Sequence, residues 1–217
     1  MIIIGDVHGS YKTLLALLEK LPDDEICFVG DLIDRGPSSK EVIELVRSKG
    51  YKCVKGNHED MMLSAFRSGQ PTMDASWMRN GGRETLASYN SPEDDELLLD
   101  HLNWMNDLPI YLEFPSIANQ KGRHLVVSHS SVAKVWTGEY TKFMDIPILW
   151  NRDICHGTLK TGNIVKNIYN VFGHSIFKEP VITKGYADID TGGYSTTGKL
   201  TALQFPEMKI FQQKNIS

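Results

Sequence analysis

The chain has 217 residues, is 41% hydrophobic and 23% charged, and carries a formal net charge of -4. This is an ordinary globular composition, long enough for one α/β domain with a sizeable insertion, and residues 1–217 are expected to form a single domain. The acidic balance gives no general attraction for nucleic acid or an anionic membrane surface, and no apolar run reaches the length of a membrane span.

Met1 leads through three isoleucines straight to Gly5, without the charged and apolar regions of a secretory leader. Ile2 to Ile4 read as a strand buried on both faces, because the run does not alternate. Gly5-Asp6-Val7-His8-Gly9 follows. Ser10 is a candidate cap for a helix whose stripe is Leu14, Leu15, Leu17, Leu18 and Leu21. Ile26 to Val29 is the second strand, and at its end stands Gly30-Asp31-Leu32-Ile33-Asp34-Arg35-Gly36. Ser38 or Ser39 caps a second helix with Val42, Ile43, Leu45 and Val46, which Gly50 stops. Tyr51 to Val54 is the third strand, followed by Gly56-Asn57-His58-Glu59. Strand, helix, strand, helix, strand implies a parallel or mixed sheet with helices packed over it, and ligands in such sheets sit beyond the carboxyl ends of the strands.

From about 60 to 120 the chain is expected to form a helical insertion beside the sheet. One helix carries Met61, Met62, Leu63 and Phe66, and another begins at Ser91-Pro92-Glu93-Asp94 and places Leu98, Leu102 and Met105 at core spacing. Both stripes read as core. Between them Trp77 to Arg83 reads as a loop rich in donors, with Asn80-Gly81-Gly82 making a turn or shaping a substrate entrance together with Arg79 and Arg83. The remainder is strand-like: Ile110 to Phe114, Leu125 to Ser128, Tyr169 to Phe172, Ala187 to Asp190, Leu200 to Phe205 and Met208 to Gln212. Two of these runs end in Ser128-His129-Ser130 and Gly173-His174-Ser175. His101, His124 and His156 belong to no motif and read as solvated or structural, while Glu59 and Asp60 read as helix N-terminal charges. The three cysteines, Cys27, Cys53 and Cys155, form no close pair, and Cys27 and Cys53 read as core residues, which fits a reducing cytoplasm.

The strand ends collect Asp6, His8, Asp31, Asn57, His129 and His174. One divalent ion cannot use all of these together with water and substrate. Two ions can, if one carboxylate bridges them, and such a pair clamps the attacking and leaving oxygens of a phosphoryl transfer. A nitrogen and oxygen ligand set favours Mn, with Fe or Zn as alternatives, over Ca or Mg.

GDVHG at 5–9, GDLIDRG at 30–36 and GNHED at 56–60, with the later SHSS, FGHS and IDTGG stretches, resemble the signature motifs of the PPP-type metallophosphatases. The compact length, the NGG loop and Trp150-Asn151-Arg152 are similar to the small bacterial and bacteriophage serine/threonine phosphatases of that family. The resemblance covers nearly the whole chain and implies the calcineurin-like fold, α/β with central mixed β-sheets flanked by helices. It also implies roles. Asp6 and His8 would bind the first of two divalent ions, Asp31 would bridge, and Asn57, His129 and His174 would complete the second. His58 would be the general acid, and Asp34 would orient it and favour its protonated form. Arg35 and Arg152 would clamp the phosphate, with Asn57 also at the substrate, though Arg152 reads as well as a structural ion-pair residue. Attack would be direct and in line, by hydroxide at the dinuclear centre, without a phosphoenzyme. Ser128 stands where the family has cysteine, beside a ligand.

The substrate implied is a phosphoprotein or phosphopeptide, met in the cytoplasm, or the host cytoplasm if the gene is a phage's. The runner-up is a symmetrical dinucleoside-polyphosphate hydrolase on the same site, for which Trp77 or Trp104 would supply a nucleobase platform. A third reading, a metal-stabilised scaffold without turnover, has no degraded motif position to support it.

Overall fold

The computed structural model describes residues 1–92, 94–136, 145–153 and 165–217, so Cys155 and His156 lie outside the described residues. In chain order, β1 (Ile2–Ile4), α1 (Tyr11–Leu18), β2 (Ile26–Phe28), α2 (Ser39–Ser48), β3 (Lys52–Cys53) and α3 (Asn57–Arg67) come first. The insertion then contributes α4 (Ala75–Trp77), a wide turn over Met78–Gly82, α5 (Arg83–Ser88) and α6 (Asp94–Asp107). Next are β4 (Tyr111–Ala118), β5 (His124–Ser128), α7 (Ala133–Trp136), α8 (Asp145–Trp150) and β6 (Ile168–Phe172). The chain closes with β7 (Val181–Ile182), β8 (Tyr186–Asp188), β9 (Lys199–Gln204) and β10 (Lys209–Lys214).

The strands form two mixed sheets, ordered β10-β9-β1-β2-β3 and β4-β5-β6-β8-β7. In the first, β1, β2 and β3 run parallel, with Ile2 opposite Ile26 and Cys27 opposite Lys52. In the second, β5, β6 and β8 run parallel, and β4 and β7 add antiparallel edges. The sheets pack face to face: Ile3, Cys27 and Val29 from one share a core with Leu125, Val127 and Val171 from the other. The outer face of the first sheet buries Ile2, Ile4 and Phe28 under Leu14, Leu17, Val42, Ile43 and Met62 of its helices. This explains why β1, β2 and β5 read as unbroken apolar runs. Each is covered on both faces, so alternation would place a polar side chain in a core.

Several expectations are corrected. The insertion ends at α6, because β4 already belongs to the second sheet. Trp77 to Arg83 is helical at both ends rather than a loop. Leu15 faces outward, 37% exposed. Neither Ser10 nor Ser38 caps its helix through its side chain, and Ser39 instead points its hydroxyl at the Asp34 N–H, 3.1 Å away. His101 is structural as read, bridging Tyr89 and Glu44 at 2.6 Å each. No helix among the described residues is long and apolar enough to cross a membrane.

At Gly30 the chain leaves β2 with φ +90°, and a Cβ there would lie 2.5 Å from the Gly56 backbone nitrogen. Gly30→Ala therefore combines backbone strain with a steric clash against a backbone that cannot yield. The expected cost is at least about 2–3 kcal/mol, read as a lower urea midpoint at unchanged m. A midpoint within error of the wild type would contradict this packing.

Candidate metal centre at the strand ends

The carboxyl ends of the parallel strands of both sheets meet in one place. Asp6 follows β1, Asp31 follows β2, Asn57 opens α3 after β3, His129 follows β5, and His174 follows β6. All five are 5% exposed or less, as are His8, Asp34 and His58. Tight backbone turns bring the side chains inward: His8, Asp31, Asp34, Arg35 and His174 all have positive φ, between 47° and 72°. Such conformations cost about 1–3 kcal/mol each in a residue with a Cβ. What holds them includes Glu59, which is fully buried. Its carboxylate accepts from the N–H groups of Asp31 at 2.9 Å, Leu32 at 2.8 Å and Gly56 at 2.8 Å. Glu59 does serve its helix start as expected, but it also pins the Asp31 turn, which its place in the sequence did not reveal.

Two groups of side chains are arranged to hold a metal ion, and they share Asp31: His8 with Asp31 and His58, and Asp31 with His129 and His174. One Asp31 oxygen lies 3.6 Å from His8 Nε2 and the other 3.5 Å from His129 Nε2. The proton placement fits a cation. His129 Nδ1 lies 2.9 Å from the Val29 carbonyl and His8 Nδ1 2.9 Å from the Ile33 carbonyl. A carbonyl only accepts, so both Nδ1 atoms donate, and each neutral ring turns an Nε2 lone pair into the site. Burial pushes His129 down to about 4, and burial with the neighbouring His129 lowers His174 further, so both rings are neutral. His129 Nε2 then faces the Asn57 side-chain oxygen at 2.7 Å, acceptor against acceptor. Among the described residues the buried His174 Nε2 has no hydrogen-bond partner, while His174 Nδ1 lies 3.1 Å from His129 Nε2. Neutral imidazole nitrogens and side-chain oxygens that converge in this way are the donor set of a cation site.

The acids agree. Burial, then Asp190, Asp31 and Asp188, push the Asp6 carboxyl well above the usual range, and burial raises Asp190 to about 6. Asp6 lies outside the two metal-holding groups and accepts instead from the His174 N–H at 3.1 Å. Asp188 and Asp190, both buried, were missed as site residues. Asp190 lies in IDTGG, a stretch that the sequence marked only as a motif match, and Asp188 stands just before it; two acids one residue apart were the available signal.

His58 is engaged at both ring nitrogens. Nδ1 lies 2.6 Å from Asp34 and Nε2 accepts from Arg35 at 3.2 Å. Asp34 is buried and also receives Trp77 Nε1 at 3.1 Å and the Thr85 hydroxyl at 2.6 Å. Burial raises its carboxyl to about 7. Burial also lowers His58. Desolvation thus opposes the expectation that Asp34 keeps the ring protonated, and the Arg35 bond to Nε2 belongs to the neutral ring. Arg35 also stacks on Tyr194, its guanidinium carbon 4.5 Å from the ring centre, and Tyr194 meets His8 edge-on at 5.1 Å. Tyr194 had no expected role. Trp77 is fully buried, which removes it as a nucleobase platform, and Trp104 packs against the helical core. Arg152 is exposed, and its charge helps to depress His129 and His174.

Residues 1–207 match the family model described as calcineurin-like phosphoesterase. Among curated proteins, the chain is 32% identical to an asymmetrical bis(5'-nucleosyl)-tetraphosphatase PrpE of Halalkalibacterium halodurans, over 96% of this chain and 91% of that protein. It is 31% identical to serine/threonine-protein phosphatase 2 of Escherichia coli, over 92% and 89% of the two chains. Among solved structures, a cold-active protein-tyrosine phosphatase from Shewanella superposes with a TM-score of 0.66 at 16% identity, over 98% of this chain and 80% of that one. The last likeness is one of fold.

Calorimetric titration with Mn²⁺ is expected to show two ions per chain, with affinity weakening as pH falls from about 8 to about 5, because protons and cations compete for the same carboxylates. The sign follows from the carboxyls of Asp6, Asp31 and Asp190, which burial raises above the ordinary carboxylate range. One ion per chain, or an affinity indifferent to pH, would contradict the arrangement.

Proposed function

The chain belongs to the calcineurin-like phosphoesterases, and on that premise we propose that it is a metal-dependent phosphomonoesterase acting on phosphoserine and phosphothreonine in proteins. The observation that carries this reading is the pair of His58 and Asp34, 2.6 Å apart and buried beside Asp31. A serine or threonine alkoxide is a poor leaving group and needs a proton, and a positioned imidazole supplies one. A phosphoanhydride expels a phosphate, which needs that help far less. The loss of Trp77 as a base platform supports the same choice.

Asp6, His8 and Asp31 would hold the first divalent ion, and Asp31, Asn57, His129 and His174 the second, with Mn the preferred metal. Bound there, the pair supplies charge neutralisation and lowers the pKa of a shared water. Although His58 falls within reach of the first ion, the engagement of both its ring nitrogens supports a part in proton transfer instead. Arg35 and Arg152 receive the phosphate oxygens. Moving Arg35 onto phosphate takes its N–H away from His58 Nε2, so that nitrogen can take up a proton from solvent before the reaction and deliver it to the leaving oxygen. Asp34 holds the ring through Nδ1, and Trp77 and Thr85 hold Asp34. Residues 1–217 act as one domain.

The second reading keeps the site and changes the substrate to a dinucleoside polyphosphate. The PrpE relative favours it, and its name specifies asymmetrical cleavage where symmetrical cleavage was expected. The two readings separate by kcat/KM with Mn²⁺ on a phosphoserine peptide and on diadenosine tetraphosphate. The peptide is expected to win. His58→Ala is expected to lower kcat on the peptide by about 10²- to 10⁴-fold and much less on para-nitrophenyl phosphate, whose leaving group needs no proton. Equal losses on both substrates would remove His58 from the general-acid role.

A further inference from the structure

The helical insertion presents a groove that the site does not use. Its outer part, about 610 Å³, runs between Met73, Ala75, Met78 and Leu86 and is flanked by Arg79 and Arg83. A second cavity, about 430 Å³, adjoins it at Met78 and Arg79 and is lined by Arg35, with Asn80 and the Glu84 carboxylate on its wall. The two together border the residue that would grip the phosphate. Arg79 and Arg83 are exposed, and Arg79 is anchored by its Nε to the Ala75 carbonyl at 2.9 Å. Met73 is 75% exposed.

We propose that this groove docks the polypeptide that flanks the phosphorylated residue, taking an apolar side chain against Met73, Met78 and Leu86 and an acidic residue between Arg79 and Arg83. The inference rests on the phosphoprotein reading above. Charge complementarity identifies the occupant: in a chain of net charge -4, the groove joins Arg35, Arg79 and Arg83 against the one carboxylate of Glu84. A nucleobase is a poorer occupant, because neither part of the groove is lined by an aromatic face and Trp77 is turned inward to Asp34. Methionine is flexible and polarisable, and suits side chains of varied shape. The geometry makes the groove a specificity element, since it touches the substrate away from the reacting atoms.

The test compares two phosphoserine peptides that differ only in a flanking glutamate or lysine, with para-nitrophenyl phosphate as the small substrate. The wild type is expected to prefer the glutamate peptide in kcat/KM by about tenfold, mostly through KM. R79E/R83E is expected to abolish or reverse that preference while leaving para-nitrophenyl phosphate turnover within about twofold, which also reports an intact fold. R83E alone, at an exposed position without the Arg79 anchor, is expected to show the same effect in smaller measure. Equal loss on both peptides, or an unchanged preference, overturns the proposal while the phosphoprotein reading stands. A wild type that turns over para-nitrophenyl phosphate and diadenosine tetraphosphate but neither peptide overturns the reading beneath it. Weakened dinucleotide hydrolysis in the variants would then assign the groove to nucleotide instead.

Discussion

The Glu59 carboxylate accepts three backbone N–H bonds and so ties the end of β2 to the start of α3. Without it three buried donors would be unsatisfied, at about 1–3 kcal/mol each. Its effect is also geometric. The Asp31 side chain accepts the His58 N–H at 3.0 Å, so the Asp31 turn and the α3 start are stitched twice, once from each side. That double tie holds Asp31 at φ 50°, where its two oxygens can face two clusters of histidines.

Behind this stitch carboxylates and neutral imidazoles are buried together. Burial alone would drive the acids to take up protons and the histidines to lose them, which are the directions found at Asp6, Asp31, His129 and His174. Divalent cations satisfy both kinds of group at once, because carboxylate and neutral imidazole are the forms a metal binds. The core of two packed sheets resists collapse around the cluster, so the groups cannot relax apart to find other partners.

Arg35 is where the insertion meets the site. Gly81, at φ 109°, lets the wide turn lie so close that a Cβ there would collide with the Arg35 backbone. Gly82 packs on Trp77, and Trp77 holds Asp34. The Asn80-Gly81-Gly82 stretch therefore serves packing first: it seats the insertion against the GDLIDRG turn and fixes the group that orients His58. The insertion is part of the site's support as well as a wall beside it.

The order of strands and helices through residue 60 was legible because buried strands and amphipathic helices leave different periods in the sequence, and the strand-end residues were legible because glycine, aspartate and histidine have no core reason to cluster there. Membership of the family followed from three such clusters in order. The folding of one sheet face against the other was not legible, and it alone brings His129 and His174 within reach of Asp31. Nor could local sequence show that Trp77 faces Asp34 rather than solvent, that Glu59 serves a neighbouring strand, or that Tyr194 lies under Arg35. Each depends on a contact between segments far apart in the chain, and a side chain's chemistry does not name its partner. Sequence by itself determined the strand-end glycines, acids and histidines around which the site is built; tertiary packing added Asp190, Tyr194 and Glu59 to them and decided which groups touch, and therefore which carry protons and which hold the others in place.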